Sequence, residues 1–419
     1  MTETTKSSHL RNKNFLALWG GQTVSVIGSQ MSGLAIPVFA VTFLNISEAQ
    51  IGYLNAAGTA SFLLVGLIAG AWVDRWIKRR VMIWADVIRL VSIALVPVLY
   101  FAGAIQIWHL FVVAAVLGLA TVFFDVAYQS FVPFVVEKEQ IASANSSLET
   151  TNQLSSIAGP AIVGSLLTVF KAPVLLIADA LSFFVSALSL SVIRDREEPK
   201  PVEQRRKLRH EIAEGLQFVW NNKMIRSVSF TTATSNLFST AQFTLIPLVI
   251  LRDLKISPAG FGLIESIAAI GGLVGAVSAA RLSKWIGEGQ VIALSAALMG
   301  LTAFAPAIAA GSSQLAAMVI LCVGQFVGSF TVLTYNITQV SARQRLCPEH
   351  LLGRMNASIR FFVWGVMPIG ALLAGAAATS FGISTVLWVA AIGVFLSAGF
   401  VVFSPLSRMK KLPDATDNA

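Results

Sequence analysis

Six ionisable side chains stand inside long apolar stretches of the sequence. They are Asp86, Arg89, Asp125, Asp179, Glu265 and Arg360. A charge in such a stretch is costly to bury, and inside a membrane it usually marks an ion pathway, a proton relay or a charge pair. Binding of protons or cations is therefore the chemistry that these residues indicate first.

Two of these charges share one face of a predicted helix, because Asp86 and Arg89 are three residues apart. Arg89 and Asp125 lie about 12 Å and about 15 Å from the same ends of their helices, so we expect them to pair. The pair is either a static ion pair that orders the N-terminal half or a site where a proton or a cationic substrate competes for Asp125.

The chain contains unusually few charged residues for its length. Of 419 residues, 55% are hydrophobic and 12% are charged, whereas soluble domains carry about 25% charged residues. Glu288 and Arg343 bracket 54 residues without a formal charge, and one membrane-spanning helix needs roughly 20. These runs are continuously apolar rather than alternating, which favours helices over a barrel. Soluble and disordered chains are excluded.

Charge clusters and turn residues divide the chain into twelve predicted helices. They span 15–42, 51–73, 81–103, 107–135, 147–170, 172–193, 225–251, 260–282, 289–310, 314–341, 355–380 and 383–404. The predicted domains are an N-terminal bundle (1–193), a cytoplasmic linker (194–224) and a C-terminal bundle with a short tail (225–419). In the linker, Leu208, Ile212 and Leu216 recur at helical spacing. This spacing predicts an amphipathic helix on the membrane surface or, equally, a short soluble helix under the bundle.

The positive charges orient these helices. We assign 25 of the 30 Lys and Arg residues to the termini and the even-numbered loops, and only Lys171, Arg252 and Lys255 to the opposite loops. The positive-inside rule then predicts that both termini are cytoplasmic. The net charge of +9 is therefore a topology signal, and we expect no nucleic-acid partner.

The two halves resemble each other at an offset of about 210 residues. Gly52 corresponds to Gly262, and Trp76 with Ile77 corresponds to Trp285 with Ile286. In the later helices, the matches are Asn145 with Asn356, Gly159 with Gly370, and Gly164 with Gly375. An even number of helices per half makes the repeats parallel, which is typical of transporters with a site between two domains.

Here the sequence resembles a known family over nearly its whole length, the major facilitator superfamily. One stretch of this sequence is similar to the family's loop motif between helices 2 and 3. That stretch contains Gly70, Asp74, Arg75, Lys78, Arg79 and Arg80. Gly159, Pro160 and Gly164 resemble the helix 5 motif of its exporters. Val132 to Asn145, with Glu214 to Leu216, resembles the macrolide-efflux and siderophore-exporter branch of bacterial drug:proton antiporters.

The resemblance implies a contact of helix 2 with helix 11 and of helix 5 with helix 8. We therefore expect a cytoplasmic latch of Asp74 with Arg360 and of Glu149 with Arg281 or Lys284, closed in the outward-facing state. The alternative is that these are ordinary interfacial charges. Because helix 8 lies near the domain interface in this superfamily and helix 6 is peripheral, Glu265 ranks above Asp179 as a second proton site. The alternative for both carboxyls is a structural or interfacial role.

The resemblance also places helices 1, 4, 7 and 10 around a substrate cavity. The polar residues on those helices that we expect to line it are Gln22, Tyr128, Gln129, Asn236, Gln242, Gln325, Tyr335 and Asn336. Few fixed charges and scattered hydrogen-bonding groups suit bulky amphipathic substrates. The alternative is hydrogen bonding between helices, which uses the same residue types.

These observations predict a proton-coupled exporter of amphipathic drugs or metabolites in the bacterial cytoplasmic membrane, acting by alternating access. The alternative is a dedicated siderophore exporter on the same fold. No nucleotide-binding loop is present, and the four histidines form no catalytic or metal-ligand cluster. We therefore expect no enzyme activity, metal or cofactor, with the proton gradient as energy source. The expected partners are a small-molecule substrate and membrane lipid, and the expected state is a monomer.

Overall fold

The computed structural model describes residue 10 and residues 12–73, 76–137, 140–193, 217–348 and 351–410. This part of the chain is almost entirely helical and contains no strand. The helices of the first half are α1 Lys13–Thr42, α2 Glu48–Val73, α3 Lys78–Phe101, α4 Ile107–Val135, α5 Ile141–Leu166 and α6 Ala172–Val192.

The second half repeats this order. Its helices are α7 Lys223–Leu248, α8 Pro258–Ile286, α9 Glu288–Thr302, α10 Gln314–Leu346, α11 Leu352–Phe381 and α12 Ile383–Ser397. Short elements extend three helical rods: a π-helix, Val249–Asp253, follows α7, while Ala305–Ala310 follows α9 and Gly399–Val402 follows α12. A 3₁₀ turn, Pro405–Arg408, ends the described chain.

Ten of these helical rods are long and apolar enough to cross a membrane. The other two are α2 and α5, each of 26 residues, or about 39 Å against a hydrocarbon core of about 30 Å. The predicted all-α architecture of twelve helices in two six-helix bundles is confirmed. The largest boundary error is in helix 5, which starts at Ile141 rather than 147. Its first turns are polar and exposed, so hydropathy did not reveal them.

The repeat extends to the hydrogen bonds that end α1 and the π-helix. Leu44 N–H donates to Phe39 O (3.2 Å), and Leu254 N–H, 210 residues later, donates to Val249 O (2.8 Å). Asn45 and Lys255, again 210 apart, both have left-handed backbones, with φ of 50° and 53°. The duplication inferred from sequence is therefore present in the backbone conformation.

The two halves meet along two helix pairs, α2 with α11 and α5 with α8, as the resemblance implied. Each pair approaches backbone to backbone at glycines. A Cβ added to Gly52 would lie 2.8 Å from Ala371 O and 3.0 Å from Gly375 Cα. A Cβ added to Gly262, the repeat counterpart of Gly52, would lie 2.0 Å from Pro160 O and 3.1 Å from Gly164 Cα. We call these two contacts the glycine seams.

The helix 5 motif therefore contributes one glycine seam. Pro160 and Gly164 face α8, while Gly159 faces α1, where an added Cβ would lie 2.5 Å from Gln30 Cγ. Both glycine seams lie towards the distal end, which we define as the end carrying the α1–α2, α5–α6, α7–α8 and α11–α12 connections. Three hydrogen bonds between the halves lie there too: Arg252 to Glu48, Asn55 to Thr244, and Ala161 N–H to Ser266 Oγ.

The predicted domain boundaries are not tested by this structure. Most of the predicted linker, 194–216, lies outside the described residues, and so does most of its expected amphipathic helix. Residues 217–221 are helical and lead into α7.

The glycine seams generate the first prediction. Gly52→Ala should push α2 away from α11 and open the distal end in part of the population, because the added methyl meets backbone that cannot turn away. Spin labels at Ser47 and Ser380, which are exposed on opposite halves at that end, should then show a longer-distance component. Gly58→Ala in the same helix is the matched control, since its Cβ meets no atom within 4 Å. Equal distance distributions in both variants would show that close packing at Gly52 does not hold the distal end closed.

Candidate functional site

A sealed charge cluster lies inside the N-terminal half. Arg89 donates a hydrogen bond to Asp86 Oδ1, and these residues are 6% and 0% exposed. The guanidinium carbon also lies 4.0 Å from the ring centre of Phe124 and 4.6 Å from that of Phe183. Arg89 therefore forms its ion pair with the carboxylate three residues earlier on its own helix. It interacts with Asp125 electrostatically, without a hydrogen bond or ion pair in the described structure.

Asp179 belongs to the same sealed region and is 0% exposed. Its Oδ1 accepts a hydrogen bond from Ser182 Oγ at 3.2 Å. Gly28 on α1 makes room for this group, since a Cβ there would lie 2.0 Å from Ser182 Oγ and 2.8 Å from Asp179 Oδ1. Asp86 and Arg89 of α3 and Asp179 of α6 thus form a buried charge cluster within one half, with an electrostatic attraction between Arg89 and Asp179.

A second set of charges lines a cavity of about 320 Å³ between the halves. Asp125 and Gln129 come from α4, and Arg360 comes from α11. The Arg360 guanidinium lies 4.7 Å from the ring centre of Trp364 and interacts electrostatically with Asp125. Phe62 of α2 closes one wall with an edge-on contact to Trp364 at 4.7 Å. The cavity thus holds one accessible carboxylate facing one guanidinium.

A third site lies within the C-terminal half, in a cavity of about 240 Å³ lined mainly by α7, α8, α9 and α10. Glu265 is its only carboxylate, and its polar lining also includes Thr232, Ser235, Asn236, Ser239, Gln242, Thr302, Gln325, Ser329, Tyr335 and Asn336. Glu265 is partly exposed to this space. Within the described part of the chain it makes no hydrogen bond and no ion pair.

Five of the predicted cavity residues line this third site, but three of them already hold helices together. Asn236 Nδ2 donates to Val363 O at 3.0 Å, and Gln242 Nε2 donates to Ala303 O at 2.7 Å. Tyr335 Oη shares a hydrogen bond with Thr232 at 2.9 Å. The side chains of Gln325 and Asn336 make no hydrogen bond to other described residues, so their amides are available to a ligand.

The other predicted cavity residues are placed differently. Gln129 lines the cavity between the halves. Tyr128 stacks on Phe124 at 5.9 Å, and its buried Oη has no hydrogen-bond partner among the described residues. Gln22 is half-buried on α1 and does not line either cavity.

The loop motif is only partly described. Asp74, Arg75 and the surroundings of Gly70 lie outside the described residues, so the expected Asp74–Arg360 contact has no structural account. Of the basic residues that open α3, Arg79 donates to Ile193 O and the Lys78 ammonium lies 5.2 Å from the ring centre of Phe134. Arg80 is exposed.

The expected second latch contact is not formed. Glu149 is exposed and accepts a hydrogen bond from Gln153, four residues on, at 2.7 Å. Arg281 and Lys284 are exposed on α8, and neither pairs with Glu149 in the described structure.

The ion pair that does join the halves was not predicted. At the distal end, Arg252 Nη2 donates to Glu48 Oε1 at 2.7 Å, and Arg252 Nε donates to Asp253 at 3.1 Å. The π-helix after α7 carries Arg252 to the start of α2. A signal was present in the sequence, because Arg252 is one of only three basic residues that we assigned to that side.

Comparisons with known proteins agree on the family. The family model described as transmembrane secretion effector, of the major facilitator superfamily, matches residues 4–418. The multidrug efflux pump Tap of Mycolicibacterium fortuitum is 26% identical over 90% of this chain and 93% of its own length. Macrolide efflux protein A of Streptococcus pyogenes is 21% identical over 95% and 97%.

Solved structures share the fold. The nucleoside transporter NupG superposes with a TM-score of 0.73 at 13% identity, covering 93% of this chain and 98% of its own. A bacterial homologue of the iron transporter ferroportin, in the inward-facing state, superposes with a TM-score of 0.73 at 17% identity, covering 96% and 99%.

The sealed and the cavity-lining carboxylates should respond differently to neutralisation. Asp86→Asn leaves the Arg89 charge buried without its partner and should lower the free energy of unfolding by about 3–5 kcal/mol. Asp125→Asn should change it by no more than about 1 kcal/mol, because Asp125 faces a cavity. Thermal unfolding of both purified variants in one detergent measures the difference. Equal losses would contradict the division into sealed and accessible groups.

Proposed function

We propose that this chain, which belongs to the transmembrane secretion effector family of major facilitator transporters, exports amphipathic drugs by proton antiport. Relatives named as multidrug and macrolide efflux pumps, matched over nearly their whole length, support drug efflux. The chain is a multi-pass membrane transporter and not an enzyme. Because those relatives are bacterial, we place it in the bacterial cytoplasmic membrane.

The proposal includes an orientation and a state. The positive-inside rule puts the termini in the cytoplasm, so the distal end faces outwards. The glycine seams and the Glu48–Arg252 pair hold the halves together at that end, whereas Glu149 and Arg281 are apart at the other. We therefore assign the structure to the inward-facing state of an alternating-access cycle. Closure of the cytoplasmic end would bring Glu149 close to Arg281 or Lys284, as the predicted latch requires.

The surroundings of Glu265 are the observation that best supports proton coupling. Its carboxyl lies about 10 Å inside α8 from the distal end and faces a cavity with unused amides from Gln325 and Asn336. A carboxylate in the membrane with no protein partner is costly to leave charged, so binding a proton or a cationic ligand would lower that cost. The same carboxyl can hold either one, which is the exchange that antiport requires.

Asp125 and Arg360 supply a second switch between the halves. They are carried by α4 and α11, which belong to different bundles, so their electrostatic attraction changes whenever the bundles rock. Asp125 interacts electrostatically with Arg89 of its own half and with Arg360 of the other half, so withdrawal of Arg360 would remove part of the positive charge that favours the ionised carboxylate and would make proton uptake easier. This makes Asp125 the group that links protonation to the position of the halves.

The charges of the two cavities indicate the substrate class. Asp125 and Arg360 cancel, which leaves Glu265 as a net negative charge within an otherwise neutral polar lining. Such a lining favours neutral or cationic amphiphiles over anions. The siderophore alternative gains no support, since the relatives described above are named as drug pumps.

Proton coupling predicts the effect of neutralising Glu265. Glu265→Gln should abolish uncoupler-sensitive efflux from everted vesicles, because a permanently neutral side chain cannot exchange a proton for the drug. Binding of a neutral drug to the purified protein should be retained. Glu137→Gln, an exposed loop carboxylate, is the control and should transport normally. Full uncoupler-sensitive efflux by Glu265→Gln would remove Glu265 from the coupling mechanism.

The distal ion pair predicts a shift between states. Glu48→Gln should raise the outward-open fraction by up to about fivefold, since a partly exposed ion pair contributes about 0–1 kcal/mol. Alkylation from outside of a cysteine at Ser239, in a variant without the native cysteines, reports that fraction.

Glu288→Gln is a matched control, because it breaks a pair with Arg345 of nearly the same exposure that lies within one half. If both variants alter alkylation alike, the Glu48–Arg252 pair is not a gate.

A further inference from the structure

We propose that a groove on the lipid-facing surface of the N-terminal half binds one anionic phospholipid. The groove, of about 730 Å³, lies between α3 and α4; we call it the α3–α4 groove. Its principal lining residues are Arg80, Trp84 and Ile88 from α3 and Val116, Leu119 and Phe123 from α4. Neither charge coupling nor the substrate cavities use these side chains.

The groove exists because small residues form its floor and large ones form its walls. Ala85 and Ala120 line it and are 3% and 4% exposed. Trp76 and Trp84 rise beside them and are 51% and 67% exposed. A closely packed protein surface would fill such a space with its own side chains, so here an apolar chain from outside has room to lie.

The dimensions of the groove suit an acyl chain. Arg80, Trp84 and Ile88 recur every four residues and form one stripe along α3. The stripe runs from the start of α3 for about 12 Å, and one leaflet of the hydrocarbon core is about 15 Å thick. The apolar part therefore spans most of a leaflet, while its basic end lies at the level of the headgroups. Tryptophans at that level are typical of membrane interfaces.

The charge at the mouth selects the headgroup. Residues 76–80 carry three basic side chains, Lys78, Arg79 and Arg80. Arg79 and Lys78 are engaged with Ile193 O and the Phe134 ring, whereas Arg80 is exposed and makes no hydrogen bond or ion pair with other described residues. A guanidinium presents parallel donors that match a phosphate, and anionic lipids are enriched at the cytoplasmic leaflet. Phosphatidylglycerol-like lipids fit both features.

The duplicated half shows that the fold alone does not produce this site. At the offset of 209 that relates Trp76 to Trp285, Arg80 corresponds to Gly289 and Trp84 to Ala293. Gly289 is covered by the chain itself, since a Cβ there would lie 1.9 Å from Leu406 O. Both the cation and the Trp84 side of the aromatic wall are therefore particular to the N-terminal half, whereas Trp76 has the counterpart Trp285.

Fluorescence quenching can test the proposal on the full-length protein. Vesicles of phosphatidylcholine would contain increasing fractions of phosphatidylglycerol with brominated acyl chains, which quench nearby tryptophans. The emission of wild type minus that of Trp84→Phe isolates Trp84 among the nine tryptophans. We expect Trp84 to prefer phosphatidylglycerol about fivefold over phosphatidylcholine, which is the effect of one arginine near an anionic headgroup. Arg80→Gln should reduce this preference to about one.

Two further variants separate a built site from general surface attraction. Val116→Phe places a ring in the groove without changing charge, and it should also abolish the preference at Trp84. Trp285, 83% exposed, stands four residues after Arg281 on the other half and serves as the matched control through Trp285→Phe. An equal preference at Trp285, no preference at Trp84, or an unchanged preference in Arg80→Gln or Val116→Phe would each overturn the proposal. Absence of quenching at Trp84 would show that protein rather than lipid occupies the groove.

Discussion

The approach of backbone to backbone at two glycine seams is the constraint on which the rest of this structure depends. Side chains at Gly52 and Gly262 would drive the halves apart by the width of a methyl group or more. Without side chains there, α2 meets α11 and α5 meets α8 backbone to backbone near the distal end. Farther along, the α2–α11 contact continues through larger side chains, such as Phe62 on Trp364, and a cavity lies beside it. Such small-residue surfaces also let helices slide or pivot without tearing interlocked side chains apart.

The cost of charge in lipid explains how the ionisable residues are distributed. Asp86 and Arg89 offset part of that cost by pairing with each other, and Asp179 by accepting a hydrogen bond from Ser182, all inside one bundle. Asp125 interacts electrostatically with Arg89 of its own bundle and with Arg360 of the other, so only part of its stabilisation depends on how the two bundles are arranged. Glu265 has no protein partner in the described chain. The proposed antiport mechanism uses Asp125 and Glu265, which both line cavities, and not the buried cluster.

The sequence was sufficient for the twelve helices, the duplication and the identity of the interfacial helix pairs, because length, hydropathy and a regular offset are properties of the chain itself. It failed where the outcome depends on a rotation about a helix axis. Similar depth predicted that Arg89 pairs with Asp125, but depth does not say which face each residue occupies. The ion pair forms instead with Asp86, which the three-residue spacing had placed on the same face as Arg89. The same limit applies to Asn236, Gln242 and Tyr335, whose polarity predicted a cavity lining but not that their hydrogen bonds were already used by other helices.

The duplication also shows where the two halves have diverged in chemistry. At the offset of 210, Glu265 of α8 corresponds to Asn55 of α2, and Asn55 donates its amide to Thr244 across the distal closure at 3.1 Å. At the same offset, Asp125 of α4 corresponds to residues 334–336 of α10, none of which is acidic. Each half has thus kept a carboxylate where the other has neutral residues. One carboxylate lies on α4 in the cavity between the halves, and the other lies on α8 in a cavity within its own half. In the proposed mechanism this placement lets Asp125 respond to the position of the halves and Glu265 to what its cavity contains.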